Sequence, residues 1–118
     1  MSSLYERLGG TDGITTIASD IVDFHQKNPR IAPRYADSDV AAVKNAVATF
    51  FISGSGGPDV YEGKDMLSAH RGMNIDAAEF VAAIDDAMAA LDKNGIGQRE
   101  KEETLFILYS LKGEVLHV

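Results

Sequence analysis

Along this chain apolar residues return every three or four positions, the period of a helix with one buried face. Ile14, Ile17, Ala18, Ile21, Val22 and His25 form the first stripe, with Thr11 or Asp12 placed to cap its helix and Pro29 to stop it. Val40, Val43, Val47, Phe50 and Phe51 form the second, opened by Ser38 or Asp39 and ending before Gly54. The third stripe, Phe80, Val81, Ile84, Met88 and Leu91, predicts a buried helix face. Asp76 and Glu79 precede it at capping-box spacing, with aspartate in place of serine or threonine, and Asn94 with Gly95 suits its end. A fourth helix carries Leu105, Phe106, Leu108, Tyr109 and Leu111 behind Glu100, Glu102 and Glu103, acids that favour the positive end of the helix dipole. Ahead of them all, Ser2 to Leu8 predicts one or two turns closed by Gly9 and Gly10. No run alternates as a strand does, so the expected fold class is all-α.

Between the second and third stripes, Gly54, Gly56, Gly57 and Pro58 are unsuited to a helix interior and predict a loop. A short apolar turn follows, in which Met66 and His70 stand four residues apart on one face. A histidine aimed inward from such a turn is either a core residue bonded to backbone or a metal ligand. The rest of the chain reads as walls around it.

At 118 residues, 45% of them hydrophobic, the chain can bury one core, and a single domain over residues 1–118 is expected. It has no cysteine, which excludes disulfides, cysteine-ligated iron–sulfur clusters and thiolate zinc, and agrees with a cytoplasmic location. No long apolar run signals export or a membrane span. The formal charge of −7, with no segregated basic patch, argues against nucleic acid as a partner.

Other chemistries fail on inspection. Asp92, Asn94, Gly97, Glu100 and Glu103 match five positions of a calcium loop, but Ile96 at the fifth position lacks a side-chain oxygen and Arg99 at the eighth is not apolar. Ser68 lies two residues before His70, where helical side chains diverge, so it does not form a nucleophile–base pair. Asp85 and Asp86 are neighbours pointing apart and read as a solvated face. A lone inward histidine, large apolar residues on several helices and a glycine loop together suit a flat apolar cofactor such as haem, whose iron takes one proximal imidazole.

The segments LYERLGG (4–10), NPRIAP (28–33), Phe50 and Phe51, GGP (56–58), Tyr61, Gly63, Met66, AHRGM (69–73), Ile75 and Phe80 resemble the truncated haemoglobins of group I. The likeness covers almost the whole chain. It implies a shortened globin, a two-over-two helical sandwich around haem b, with the first helix reduced and the proximal helix mostly replaced by loop. His70 then matches the proximal iron ligand. Tyr35, Val43, Val47, Phe50, Phe51, Tyr61, Met66, Met73, Ile75, Phe80 and Ile84 are implied to line the haem. Lys44, Lys64 and Arg71 are candidates for its propionates.

The distal side departs from the family. Where group I members place a ligand-binding tyrosine the register puts Val22, and the helper glutamine position falls on Val47, with Val43 one turn before it. Loss of a hydrogen bond to a partly charged ligand is worth about 1.5 to 3 kcal/mol, about ten- to a hundredfold in retention. His25 is the polar residue on the same stripe, open to three roles: distal donor, sixth iron ligand, or core histidine bonded to backbone near Pro29. Tyr35 is a second possible donor, and His117 reads as a surface residue. The resemblance implies binding of dioxygen, nitric oxide or carbon monoxide, in oxygen transport or storage or in nitric oxide detoxification with an unidentified reductase. The apolar distal side weighs against efficient nitric oxide dioxygenase activity. A gas or redox sensor acting through a partner, and a haem-free helical interaction module, are the alternatives.

Overall fold

The computed structural model describes residues 2–118; Met1, the first residue of the expected domain, lies outside them. Seven helices follow in order: α1 (Leu4–Arg7), α2 (Gly10–Lys27), α3 (Val40–Gly54), α4 (Met66–His70), α5 (Ala77–Lys93), α6 (Gln98–Ser110) and α7 (Lys112–Val115). A 3-10 turn at Ala32–Tyr35 joins α2 to α3. The all-α expectation holds: the described residues contain one isolated bridge, Ile75 to Leu116, and no strand.

The long helices make two layers, α2 with α3 and α5 with α6, with α2 also packing on α5. Leu4, Leu8, Ile14, Ile17, Ile21, Ile52, Ala87, Ala90 and Leu91 form the main core. A second cluster of Ile75, Phe80 and Val115, flanked by Met73, Ile84, Leu111 and Leu116, lies apart from it. Burial of such side chains, at about 25 cal/mol per Å², is what holds a cysteine-free chain together.

The glycines near the start let α1 turn back onto α2. Gly9 has φ 100° and occupies the cap position, so α2 starts at Gly10 rather than after a Thr11 or Asp12 cap. A Cβ at Gly13 would fall 2.5 Å from the Leu8 carbonyl oxygen, so only glycine permits this approach. The Tyr5 hydroxyl takes over the capping task, accepting from Thr11 N at 3.2 Å. Its ring covers Gly57, where a Cβ would meet it at 2.4 Å, and Tyr5 N donates to the Ser55 carbonyl at 2.9 Å. The glycine loop is thereby stitched to α1.

Asp39 caps α3 as expected, accepting from Ala42 N, but the helix runs through Gly54. Asp76 caps α5, accepting from Glu79 N at 2.8 Å. The reciprocal half of the expected box is absent, because the Glu79 carboxylate pairs with Arg34 instead. Val81 is 53% exposed, against the expectation of burial: the arc through Phe80, Ile84, Ala87 and Leu91 leaves it beyond the edge. The expected single last helix divides at Leu111 into α6 and α7.

Candidate functional site

His70 ends α4, a helix of five residues opened by Asp65, whose carboxylate accepts from Ser68 N at 3.1 Å. Hydrogen bonding from Ser68, by its side-chain hydroxyl first and its backbone N–H second, holds the Asp65 carboxyl below the usual carboxylate range. So short a helix depends on tertiary support. It packs on α7. The loop after it is tied to the last residues: Gly72 N and Asn74 N donate to the Val118 carbonyl at 3.1 and 3.2 Å, and His117 N donates to Ile75 O at 3.0 Å. His117 itself is exposed. Arg34 clamps the same loop from the other side, donating to Met73 O at 2.9 Å while it pairs with Glu79.

The His70 ring is fixed by its own helix. Nδ1 lies 2.8 Å from the Met66 carbonyl oxygen. A carbonyl only accepts, so Nδ1 carries the proton and Nε2 keeps its lone pair. Among the described residues Nε2 has no hydrogen-bond partner, and it is not sealed in the interior either, since no described buried side-chain nitrogen or oxygen is unpaired.

Several of the apolar side chains expected to line a haem are half-buried rather than buried. Val43, Val47 and Phe50 on α3, Tyr61 in the loop, Met66 on α4, and Met73 and Ile84 all fall in that class. Phe50 and Tyr61 meet edge to face at 5.5 Å, and the Tyr61 hydroxyl donates to the Lys64 carbonyl at 2.5 Å. Ser53 Oγ accepts from Val60 N and Tyr61 N, both at 3.0 Å, which anchors that loop to the end of α3. Among the described residues α3 packs chiefly on α2, and α4 packs on α7.

Other expected lining residues lie deeper. Val22 has no exposed surface, Phe51 packs against the main core, and Ile75 and Phe80 are buried in the second cluster. Lys64 and Arg71 are exposed, and neither forms an ion pair among the described residues. Lys44 reaches Asp23 at 2.8 Å.

His25 does not bond to backbone near Pro29. Its Nδ1 lies 2.7 Å from Asp86 Oδ2 on α5, and Asn28 Nδ2 donates to the same oxygen at 3.2 Å. The Tyr35 ring is 6.2 Å from the His25 ring, and burial, helped by the Asp86 charge, pushes the Tyr35 hydroxyl up. Asp86 and Arg34 are the residues that sequence reasoning missed. A signal existed for Asp86: it stands midway between buried Ala82 and Ala90, four residues from each, so it shares their inward row while Asp85 faces solvent.

The residues of the calcium-like segment are otherwise engaged. Asp92 pairs with Lys101 at 2.5 Å, Asn94 donates to Asp20 at 2.9 Å, and Glu100 and Glu103 pair with Arg7. Among the described residues no three His, Cys, Asp or Glu side chains come together to hold a metal ion. A single imidazole nitrogen with no second ligating side chain beside it therefore fits iron already carried in a macrocycle, and does not fit a bare ion.

This fold and this histidine define a globin of the two-over-two kind, and comparison with known proteins agrees. The bacterial-like globin family model matches residues 3–117. A group 1 truncated haemoglobin of Synechocystis is 30% identical over 100 residues, covering 81% of each chain. One from a Nostoc species is 26% identical and covers 99% of each. The Fe(III) form of truncated haemoglobin from Tetrahymena pyriformis superposes with a TM-score of 0.95 at 24% identity, covering 99% of this chain and 100% of that one. The chain belongs to the group 1 truncated haemoglobins of the bacterial-like globin family.

Proposed function

We propose that this protein binds haem b through His70 Nε2 and takes up a diatomic gas, dioxygen, nitric oxide or carbon monoxide, on the opposite face. The observation that carries this reading is the His70–Met66 hydrogen bond, which orients the ring and leaves its other nitrogen free for a metal. When bound, haem supplies the iron and the redox chemistry. The chain's own residues orient the ligand imidazole, exclude water, and set the polarity on the gas side.

Val22, Val43 and Val47 offer that side no hydrogen bond. Tyr35 and His25 are the polar groups nearest to it in the sequence reading, and His25 is held by Asp86. Weak polar stabilisation favours reversible binding, carriage or sensing over nitric oxide detoxification. The described residues include no helix long and apolar enough to cross a membrane. A single cytoplasmic domain served by a separate reductase completes the proposal.

The test is an absorption spectrum of purified protein, ferric and then ferrous, repeated for the His70→Ala variant. A Soret band that depends on His70 is expected. Failure to take up haem, or identical spectra with and without the imidazole, overturns the assignment.

A further inference from the structure

Helix α6 exposes its apolar side chains. Phe106 is 76% exposed, Tyr109 56% and Leu105 38%, and their spacing of three and four puts them in one patch. Single exposed apolar residues are ordinary, but a contiguous group of this kind marks an interaction surface. Beside Phe106 the surface dips into a groove lined by Leu4, Gly54, Ser55 and Ile107.

The charges at the ends of the patch point to its occupant. Glu102 stands one turn before it and accepts only from Gln98 Nε2, at 3.2 Å. Lys112 stands one turn after it, with Nζ 5.4 Å above the Tyr109 ring and 3.5 Å from its hydroxyl, so it lies on the same face. Among the described residues neither forms an ion pair within the chain. The stripe thus runs negative, apolar, positive.

We propose that this stripe is the interface of a homodimer, two copies of α6 packing antiparallel about a two-fold axis level with Ile107. That axis sets Glu102 opposite Lys112 of the other copy and Leu105 opposite Tyr109, because each pair is spaced symmetrically about position 107. A second copy satisfies both ends at once, as an isologous interface requires. With a formal charge of −7, an anionic membrane or an acidic protein is repelled. The apolar centre is small, which places the dimer in the weak class.

Sedimentation velocity on the full chain, over a concentration series up to about 1 mM, reads the association directly. A monomer–dimer equilibrium is expected. Phe106→Glu should abolish it, and either single reversal, Glu102→Lys or Lys112→Glu, should weaken it at least about tenfold. The double reversal should return to within about threefold of the parent. Circular dichroism confirms that each variant is folded, and the exposure of all three positions favours that. A monomer throughout the series, or a dimer indifferent to Phe106→Glu, refutes the interface. A dimer lost with Phe106 but not rescued by the double reversal refutes the antiparallel pairing.

Discussion

The Nδ1–H of His70 donates to the carbonyl oxygen of Met66, 2.8 Å away and one helical turn earlier. A five-residue helix is enough to fix both the direction and the tautomer of the ring. Both partners lie in one segment, whose geometry the Asp65 cap and the packing on α7 hold.

Replacing His70 by alanine should leave the helical content unchanged and remove the Soret band or shift it to that of weakly held haem. Outer partners of ligating groups alone are worth about ten- to a hundredfold in affinity, so loss of the ligand itself should exceed tenfold. Haem titration followed by absorption reads the change.

Asp86 ties α5 to both His25 and Asn28. Asp86→Ala strands two partly buried donors, so urea unfolding should show a loss of about 1 to 3 kcal/mol. Asp86→Asn keeps a hydrogen-bonding group there and should recover part of it. If His25 acts on the gas side, His25→Leu and Asp86→Asn should alter gas off-rates in the same direction. Unchanged off-rates and ferric spectra in both would leave His25 a structural residue.

Val47 is half-buried on α3, at the position that the family resemblance assigns to the gas side. Val47→Gln adds a donor where the chain has none. Dioxygen release should slow by about tenfold, the value of a hydrogen bond near 1.5 kcal/mol. Stopped-flow displacement of dioxygen by carbon monoxide tests it, and an unchanged rate would move the gas site away from α3.

Two glycine substitutions should differ sharply. Gly13→Ala drives a Cβ to 2.5 Å from the Leu8 carbonyl and should cost about 1 to 3 kcal/mol. Gly113→Ala, with nothing within 4 Å of its Cβ, should be neutral or stabilise by about 0.5 to 1 kcal/mol. Thermal melts of the two variants side by side decide it.

Asp20 on α2 is held below the ordinary carboxylate range, first by the hydrogen bond from Lys93 and then by that from Asn94. Its folded pKa is the lower one, so its contribution is present above the unfolded value and fades as pH falls through the folded one. Asp20→Asn should therefore lower the melting temperature at about pH 7 and converge with the parent as the pH falls through the folded pKa of Asp20. A constant difference across that range would mean that the effect is not ionic.

Much of the architecture was written locally. The period of three and four locates the long helices, Asp39 and Asp76 announce two starts, and the glycine loop with Met66 and His70 marks the candidate ligand. These are properties of a segment and its neighbours in sequence, and short-range sterics and hydrogen bonds suffice to encode them.

What only the three-dimensional arrangement decided is which face meets which. Val40, Val43, Val47 and Phe50 form a stripe as apolar as that of α2, yet they end half-buried because protein does not cover them. Val81 and Phe106 are exposed, Asp86 turns inward to His25, and Glu79 leaves its own helix cap for Arg34. Periodicity records that a helix has an apolar side; the partner across from it is fixed by packing between segments distant in sequence, and here that partner differs from one helix to the next.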